Sequence, residues 1–380
     1  MKKKMIAILV AASVALTGCG LSSTTTTSAP PKNTETKENS TSAEPAKSEK
    51  LASDATDEQI NDYITAKSEN SAKIVLRYAS TSADLNGQAY LRGAREFLKV
   101  LKEELGDKVE IQYFLNATFG GSADAVLGGL QNETFEMTDW PLGSFAEFTN
   151  AFQPLDVPYL IPSSQKAYDF LSGEAGDIMA EKCIEDTGIK PMYYGIIGMR
   201  QLTNSKKEIT SPDDLAGLKI RVQNNPLHIA GMKQLGCAPT AMAFSELFTS
   251  LQQKVIDGQE NPIETIYNFQ YYEVQNYLSL TNHLCTAGSV AVNNDWYEAL
   301  PDDFKAAFEK ASDAAEKYSI NELTSAENDV LEKLKAKMTV TELTDEQIAV
   351  FQAKEKEAWP ELEELIGADY FQKVTKAAGF

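Results

Sequence analysis

The sequence predicts an α/β fold in two domains. Strand and helix patterns alternate as βαβαβ over residues 73–138, which is the order of a sheet flanked by helices. A second series of strand and helix patterns begins at Leu218. A helical pattern from Pro301 to Lys337 exceeds about 45 Å in length, so we expect this helix to lie across both domains.

The N-terminal segment has the pattern of a bacterial export signal. Three lysines at residues 2–4 precede an apolar run over residues 5–16, which is shorter than the roughly 20 residues of a membrane span. The run ends in Leu16-Thr17-Gly18-Cys19, which resembles a lipobox, where the cysteine thiol is acylated. We therefore predict a signal peptide over residues 1–18 and a lipid at Cys19. The alternative is an ordinary secretory signal with an incidental cysteine.

A tether is predicted to follow the lipidation site. Residues 21–50 are rich in Ser, Thr, Pro, Lys and Glu and contain no aromatic residue, so they cannot bury enough apolar surface to offset the entropy of ordering. Residues 51–68 have weak helical spacing and form either a short helix or more tether. The domain division assigns all of residues 19–72 to a lipid-anchored flexible tether, and the folded body begins near Lys73.

Hydrophobic periodicity predicts the elements of the body. The predicted strands share β-branched or alternating apolar residues and cover 73–79, 108–114, 134–138, 192–197 and 218–222. The predicted helices share apolar stripes at helical spacing and cover 88–105, 123–131, 164–183, 226–235, 244–253, 301–337, 345–358 and 361–378. We divide the body into a first domain of residues 73–198 with 287–326 and a second of residues 199–286 with 327–380.

The charge of the chain restricts its partners. There are 35 basic and 55 acidic residues, so the formal charge is 35 − 55 = −20. This excess argues against nucleic acid and against anionic membrane surfaces as partners. An acidic ligand would need a local cationic site within a protein that repels it.

Few residues point to catalysis or metal binding. The cysteines beyond Cys19 are Cys183, Cys237 and Cys285, and their pairing in disulfides remains open. The two histidines, His228 and His283, belong to no zinc motif. No nucleophile elbow, phosphate loop or dinucleotide motif occurs in a convincing context. We therefore expect a protein without metal or cofactor that is not an enzyme.

Two motifs carry a family resemblance. They are Asp214-Leu-Ala-Gly-Leu-Lys-Ile-Arg221 and Asp257-Gly-Gln-Glu-Asn-Pro262. With their neighbours from Tyr193 onward, they resemble the DctP-type solute receptors of tripartite ATP-independent periplasmic (TRAP) transporters, which bind C4-dicarboxylates and sugar acids. The resemblance covers roughly Lys73 to Ala358.

This resemblance implies a fold and a function. The implied fold is the two-domain, periplasmic-binding-protein-like fold, with a ligand cleft between the domains. The implied function is to capture a small organic acid outside the cytoplasm and deliver it to the permease subunits in the membrane. One alternative is a receptor of the same fold that partners a sensor kinase, and another is a secreted hydrolase or surface interaction protein. The residues do not distinguish a monocarboxylate from a dicarboxylate ligand.

Arg221 is the principal candidate for ligand binding. It lies in a predicted strand, where a lone guanidinium is costly unless it is paired. Its planar fork matches a carboxylate in a bidentate manner. The resemblance implies that it clamps the substrate carboxylate. The alternative is a buried ion pair with Glu246, Asp257 or Glu260.

Three further candidates come from the same region. Arg200 resembles the second arginine of the family, or else forms a surface or hinge salt bridge. Asn261 can donate and accept hydrogen bonds toward a ligand, or else cap the helix that begins at Pro262. Phe244 forms a wall of the pocket, or else packs in the core.

Asp139 and Trp140 complete the predicted site. They follow the predicted strand 134–138, at the position of a ligand-contacting loop that varies within the family. Asp139 is unexpected beside an anionic ligand, and we assign it to orienting an arginine or to contacting a hydroxyl or amine.

Overall fold

The computed structural model describes residues 51–52, 54–67 and 74–380. The predicted signal peptide, Cys19 and most of the predicted tether lie outside the described residues. Within residues 51–67 the structure has a helix, α1 (Asp57–Thr65), whose Thr56 and Gln59 form a capping box. The Ile64 side chain of this helix is fully buried in the core. Of the two alternatives for residues 51–68, the structure has the short helix, because its apolar face has a packing partner.

The remaining elements alternate along the chain. The strands are β1 (Ile74–Ala79), β2 (Val109–Phe114), β3 (Met137–Pro141), β4 (Ile189–Asn204), β5 (Lys219–Val222), β6 (Ala238–Ala241), β7 (Gly258–Pro262), β8 (Tyr277–Leu280), β9 (Cys285–Asn293) and β10 (Thr339–Glu342). The helices after α1 are α2 (Ala89–Leu105), α3 (Ala123–Gln131), α4 (Ser164–Leu171), α5 (Glu174–Thr187), α6 (Pro226–Gln234), α7 (Leu247–Gln252), α8 (Ile263–Asn268), α9 (Asn294–Glu298), α10 (Asp302–Lys335), α11 (Asp345–Lys356), α12 (Trp359–Ile366) and α13 (Ala368–Ala377).

The strands are joined in the order β2-β1-β3-β9-β4-β7-β5-β6, with β8 between β4 and β10. Strand β1 is parallel to β2 and β3, and β5 is parallel to β6 and β7. The strands form two groups. The first group is β1, β2, β3 and β9, the second group is β5, β6, β7, β8 and β10, and strand β4 belongs to both. Residues from Ile189 to Met199 pair with β9, whereas those from Arg200 to Asn204 pair with β7 and β8. The α/β fold class is confirmed.

Helix α10 is the predicted long helix. It has 34 residues and is therefore about 51 Å long. Its N-terminal half packs through Phe308 and Ala311 against the core around α2, and its C-terminal half packs through Val330 and Leu334 against the core around α7 and α8. Helix α2 lies close to β4 and α10, and this requires Gly93. A Cβ at this position would lie 2.7 Å from the Tyr193 hydroxyl and 2.9 Å from Ser319 Cβ.

Several predicted boundaries are wrong. The third strand begins at Met137 instead of residue 134, and the helix predicted over 164–183 is two helices separated at Gly173. Strand β4 extends beyond the predicted residues 192–197 and includes Arg200. The last predicted helix is interrupted at Gly367, whose φ of 97° is unfavourable for other residues.

The end of α12 and helix α13 contact residues of the predicted first domain. Tyr370 donates a hydrogen bond to the carbonyl of Ala151 at 2.7 Å, and Asn150 donates to the carbonyl of Ile366 at 2.7 Å. Val374 packs in the same core cluster as residues of α5. Apolar burial therefore places α13 beside α5, while the assignment of residues 327–380 to the second domain stays a prediction.

The three cysteines of the described residues are free thiols. Cys183, Cys237 and Cys285 are buried and form no disulfide with one another. Burial raises the pKa of each thiol to about 12. These cysteines therefore act as small hydrophobic side chains.

Candidate functional site

A cavity of about 260 Å³ lies where several strands end. Its lining includes residues at or just after the carboxyl ends of β1, β3, β5, β6 and β7, together with the first turns of α2 and α3. Crevices at the carboxyl ends of strands are the usual ligand sites of α/β folds. The size is at the low end for ligand pockets, which favours a small solute.

Arg221 lines this cavity and is only 2% exposed. Its Nε and Nη2 donate to the carbonyl of Met242 at 3.2 and 2.8 Å, whereas its Nη1 has no hydrogen-bond partner among the described residues. Burial lowers its pKa to about 10, so the guanidinium is still charged at neutral pH. The ring of Phe244 lies 6.0 Å away.

The alternative ion pairs proposed for Arg221 are not present in the described part of the chain. Asp257 forms a salt bridge with Lys206 at 3.2 Å, and Glu260 forms one with Arg200. No carboxylate of the residues described forms a salt bridge with Arg221. Its direct contacts are therefore one backbone carbonyl and an aromatic ring, and the charge of Glu260 acts on it only from beyond salt-bridge distance.

Arg200 is fully buried and already paired. Its Nε contacts one carboxylate oxygen of Glu260, and its Nη2 donates to the other at 2.9 Å. Its Nη1 donates to the hydroxyl of Thr286 at 2.8 Å, and its Nη2 donates to the Asn261 side chain at 3.3 Å. The expected salt bridge exists, but it is a buried one inside β4 and β7, and Arg200 also lines the cavity.

The two histidines surround the same carboxylate. His283 Nε2 lies 3.3 Å from Glu260, and His228 lies 3.7 Å from Glu260 and 3.1 Å from Asp156. Burial opposes ionisation of Glu260, but Arg200 and the two neighbouring histidines hold its pKa well below the usual value. Burial also opposes protonation of His228, but Asp156 and Glu260 raise its pKa. Burial and the nearby cations lower the pKa of His283.

Asn261 and Phe244 both line the cavity. The Oδ1 of Asn261 accepts from Arg200, and its Nδ2 donates to Gln259. Helix α8 begins at Ile263 without a side-chain cap, so Asn261 does not have the capping role. The ring of Phe244 stands nearly perpendicular to that of Phe269 at 4.7 Å, and the two rings form one wall.

Trp140 and Asp139 lie inside β3, on opposite faces, because successive side chains of a strand alternate. Trp140 lines the cavity, and its buried Nε1 has no partner among the described residues. Asp139 accepts hydrogen bonds from the hydroxyls of Tyr78 at 2.7 Å and Tyr90 at 3.1 Å, and Tyr90 itself lines the cavity. Burial raises the pKa of Asp139, although these hydroxyls oppose the rise. Asp139 itself does not line the cavity, and its contact with a ligand stays a prediction.

Several lining residues were missed from the sequence. Gln88 Nε2 donates to the hydroxyl of Thr265 at 2.9 Å, which joins the start of α2 to α8 at the cavity. Gln223 and Asn224 follow β5, and Ser122 begins α3. A search of positions directly after predicted strands and at predicted helix starts would have found most of them.

The described residues contain neither a membrane-spanning helix nor a metal-binding cluster. Within the described ranges, no helix is both long and apolar enough to cross a bilayer. Across the same part of the chain, no three side chains of the histidine, cysteine or acidic types are grouped as a metal site requires.

Known proteins are similar to this chain in sequence and fold. The profile of the bacterial extracellular solute-binding proteins, family 7 (DctP), matches residues 81–365. The C4-dicarboxylate-binding periplasmic protein DctP of Vibrio cholerae is 32% identical over 288 residues, which cover 73% of this chain and 83% of that protein. The 2,3-diketo-L-gulonate-binding periplasmic protein of Escherichia coli is 31% identical over 242 residues, covering 64% and 73% of the two chains.

A solved structure of a solute-binding protein is also similar to this chain in fold. The crystal structure of the sugar acid binding protein DctPAm from Advenella mimigardefordensis, in complex with galactonate, has a TM-score of 0.76 and 27% identity. The match covers 82% of this chain and 99% of that one.

Proposed function

This chain belongs to family 7 of the bacterial extracellular solute-binding proteins, the DctP family, and from that premise we propose that Arg221 clamps the carboxylate of its solute. The protein is an extracytoplasmic solute receptor of a TRAP-type transporter. Members of the family bind small carboxylates or sugar acids and work with membrane permeases, so a receptor that partners a sensor kinase is not favoured. We propose further that this chain catalyses no reaction.

The observation that carries the clamp is the unpaired charge of Arg221. A guanidinium that is 2% exposed, with an Nη1 lacking any partner among the described residues, is costly in the absence of an anion. A bidentate carboxylate would supply the missing acceptors and the missing charge. Arg200 and Asn261 would hold the ligand from β4 and β7, with Trp140 and Phe244 as apolar walls.

Two lobes would close on the ligand. We assign α1 and residues 74–198 with 287–326 to the first lobe and residues 199–286 with 327–358 to the second, with α13 returning to the first. Closure would exclude water from the ion pair and strengthen it, and the ligand would shift the population toward the closed form by its higher affinity for that form. Helix α10 spans both lobes and would accommodate the movement by bending.

The clamp is tested by substitution of Arg221. A thermal-shift screen of organic acids identifies a ligand, because a solute that binds only the folded chain raises its melting temperature. Arg221→Ala should then weaken binding by about 100-fold or more, since two charge-assisted hydrogen bonds are lost. Arg221→Lys should give an intermediate loss, because the charge remains without the fork.

Arg77→Ala is the matched control for loss of one arginine. Arg77 pairs with Glu136 and does not line the cavity, so its loss should leave the dissociation constant unchanged. Calorimetry measures all three variants. An unchanged dissociation constant for Arg221→Ala would refute the clamp.

Cys19 is proposed to carry the lipid that holds the receptor at the membrane. The support is the sequence pattern Leu16-Thr17-Gly18-Cys19 after an apolar run. Cys19→Ser should move the protein from the membrane fraction to the soluble fraction and abolish incorporation of labelled fatty acid. Retention of labelled fatty acid by this variant would exclude Cys19 as the acylated residue.

A further inference from the structure

The charges around the cavity indicate which acids it accepts. Of the described residues that line the cavity, three carry charge: Arg200, Arg221 and Glu147. Arg200 is neutralised by its bidentate pair with Glu260, which lies in the same buried network as His228 and Asp156. Arg221 is therefore the one lining guanidinium of this set without a carboxylate partner.

Glu147 brings a negative charge to the same cavity. Its side chain is exposed at the rim. A ligand with one carboxylate would pair it with Arg221 and would have no further negative charge to neutralise. A second carboxylate would find no uncompensated cation among these lining residues and would meet the charge of Glu147, and a desolvated carboxylate without a partner is strongly disfavoured.

Two neutral side chains of the lining also lack partners. The Nε1 of Trp140 is a donor and the Oε1 of Gln223 is an acceptor, and both are buried without a hydrogen-bond partner among the described residues. A hydroxyl group can both accept and donate, whereas an ionised carboxylate can only accept. Hydroxyl groups on the ligand therefore match this pair better than a second carboxylate does.

We propose that the receptor is selective for hydroxylated monocarboxylates and discriminates against dicarboxylates. This inference rests on the proposed function, because it takes Arg221 as the carboxylate clamp. Arg221 sets the preference for one carboxylate, Glu147 disfavours a second, and Trp140 with Gln223 selects for hydroxyl groups.

The experiment compares acids that differ in one group. Gluconate and galactonate are titrated into the full chain by calorimetry, alongside their diacids glucarate and galactarate and the unsubstituted hexanoate. The better of the two monoacids should bind at least about tenfold more tightly than its own diacid and than hexanoate, which is a difference that calorimetry resolves.

Two variants separate the contributions. Glu147→Gln should raise the affinity for the diacid by about two- to fivefold, the range of an exposed charge pair, whereas the exposed Glu364→Gln should leave it unchanged. Trp140→Phe keeps an aromatic ring and removes the Nε1 donor. It should therefore weaken the binding of gluconate or galactonate by about two- to tenfold without weakening the binding of hexanoate.

The outcomes distinguish the two proposals. A diacid that binds as tightly as its monoacid, or more tightly, overturns the selectivity and leaves the receptor function intact. Hexanoate binding as tightly as the hydroxylated acids overturns the role of the hydroxyl groups. If none of these acids binds while another organic acid without hydroxyl groups does, the selectivity again fails alone. If no organic acid shifts the melting temperature, the clamp itself fails.

Discussion

Replacing Glu355 with Gln should make the folded protein more stable, by an amount that grows with pH. Glu355 lies on α11 and is fully buried, and neither carboxylate oxygen has a hydrogen-bond partner among the described residues. Burial raises its pKa to about 8, although the charge of His228 opposes the rise. The folded protein therefore holds a proton at this position under neutral conditions, whereas the unfolded chain does not.

The magnitude follows from linkage between protonation and folding. A pKa raised on folding stabilises the folded state fully below the unfolded pKa of about 4.5, and this stabilisation is lost as the pH rises toward about 8. One proton contributes about 1.4 kcal/mol per pH unit, so the loss between pH 5 and pH 7 is at most about 3 kcal/mol. Gln is neutral at every pH and does not incur this loss.

Urea unfolding at pH 5, 6, 7 and 8 measures the effect. The difference in unfolding free energy between Glu355→Gln and the unmodified chain should increase steadily over this range, while Glu364→Gln, an exposed control, should show no such trend. A difference that stays constant from pH 5 to pH 8 would refute the reasoning, since it would mean that Glu355 is equally ionised in the folded and unfolded chains.

Two further substitutions test the core around the site. Glu260→Gln leaves the Arg200 guanidinium buried without its carboxylate, so it should destabilise the chain by about 3–5 kcal/mol in urea unfolding; an unchanged midpoint would contradict the buried ion pair. Ile64→Ala should cost about 2–5 kcal/mol because its side chain is fully buried, whereas Ile60→Ala, at a partly buried position of the same helix, should cost less; equal and negligible losses would show that α1 is not part of the folded body.

The sequence predicted those parts of the site that depend on local pattern. Arg221 and Asn261 were found because each lies in a motif that resembles the family, and in the structure both lie at strand ends that line the cavity. Asp139 was expected in a loop after the strand 134–138, but β3 continues to Pro141, so Asp139 and Trp140 lie within the strand on opposite faces. Gln88 was missed because its partner Thr265 is far away in the chain and no local pattern joins them.

The choice between the two arginines also needed tertiary structure. Glu260 was proposed as a partner for Arg221, but it pairs with Arg200. In the antiparallel register of β4 and β7, Glu260 lies opposite Leu202, which places it diagonally across from Arg200. A sequence contains both charges but not the strand register, so it could not predict which guanidinium is neutralised and which remains for a ligand.

The buried cysteines make this chain convenient for fluorescent labelling. The thiolate is the reactive form of cysteine, and thiols with a pKa near 12 contain almost none of it at neutral pH. The sequence has four cysteines, so replacing Cys19 with serine leaves only these three unreactive ones. Two cysteines introduced on exposed helices, one beside each group of strands, would then carry a maleimide donor and acceptor dye without background. Energy transfer between the dyes would report on the distance between the two groups before and after a solute is added.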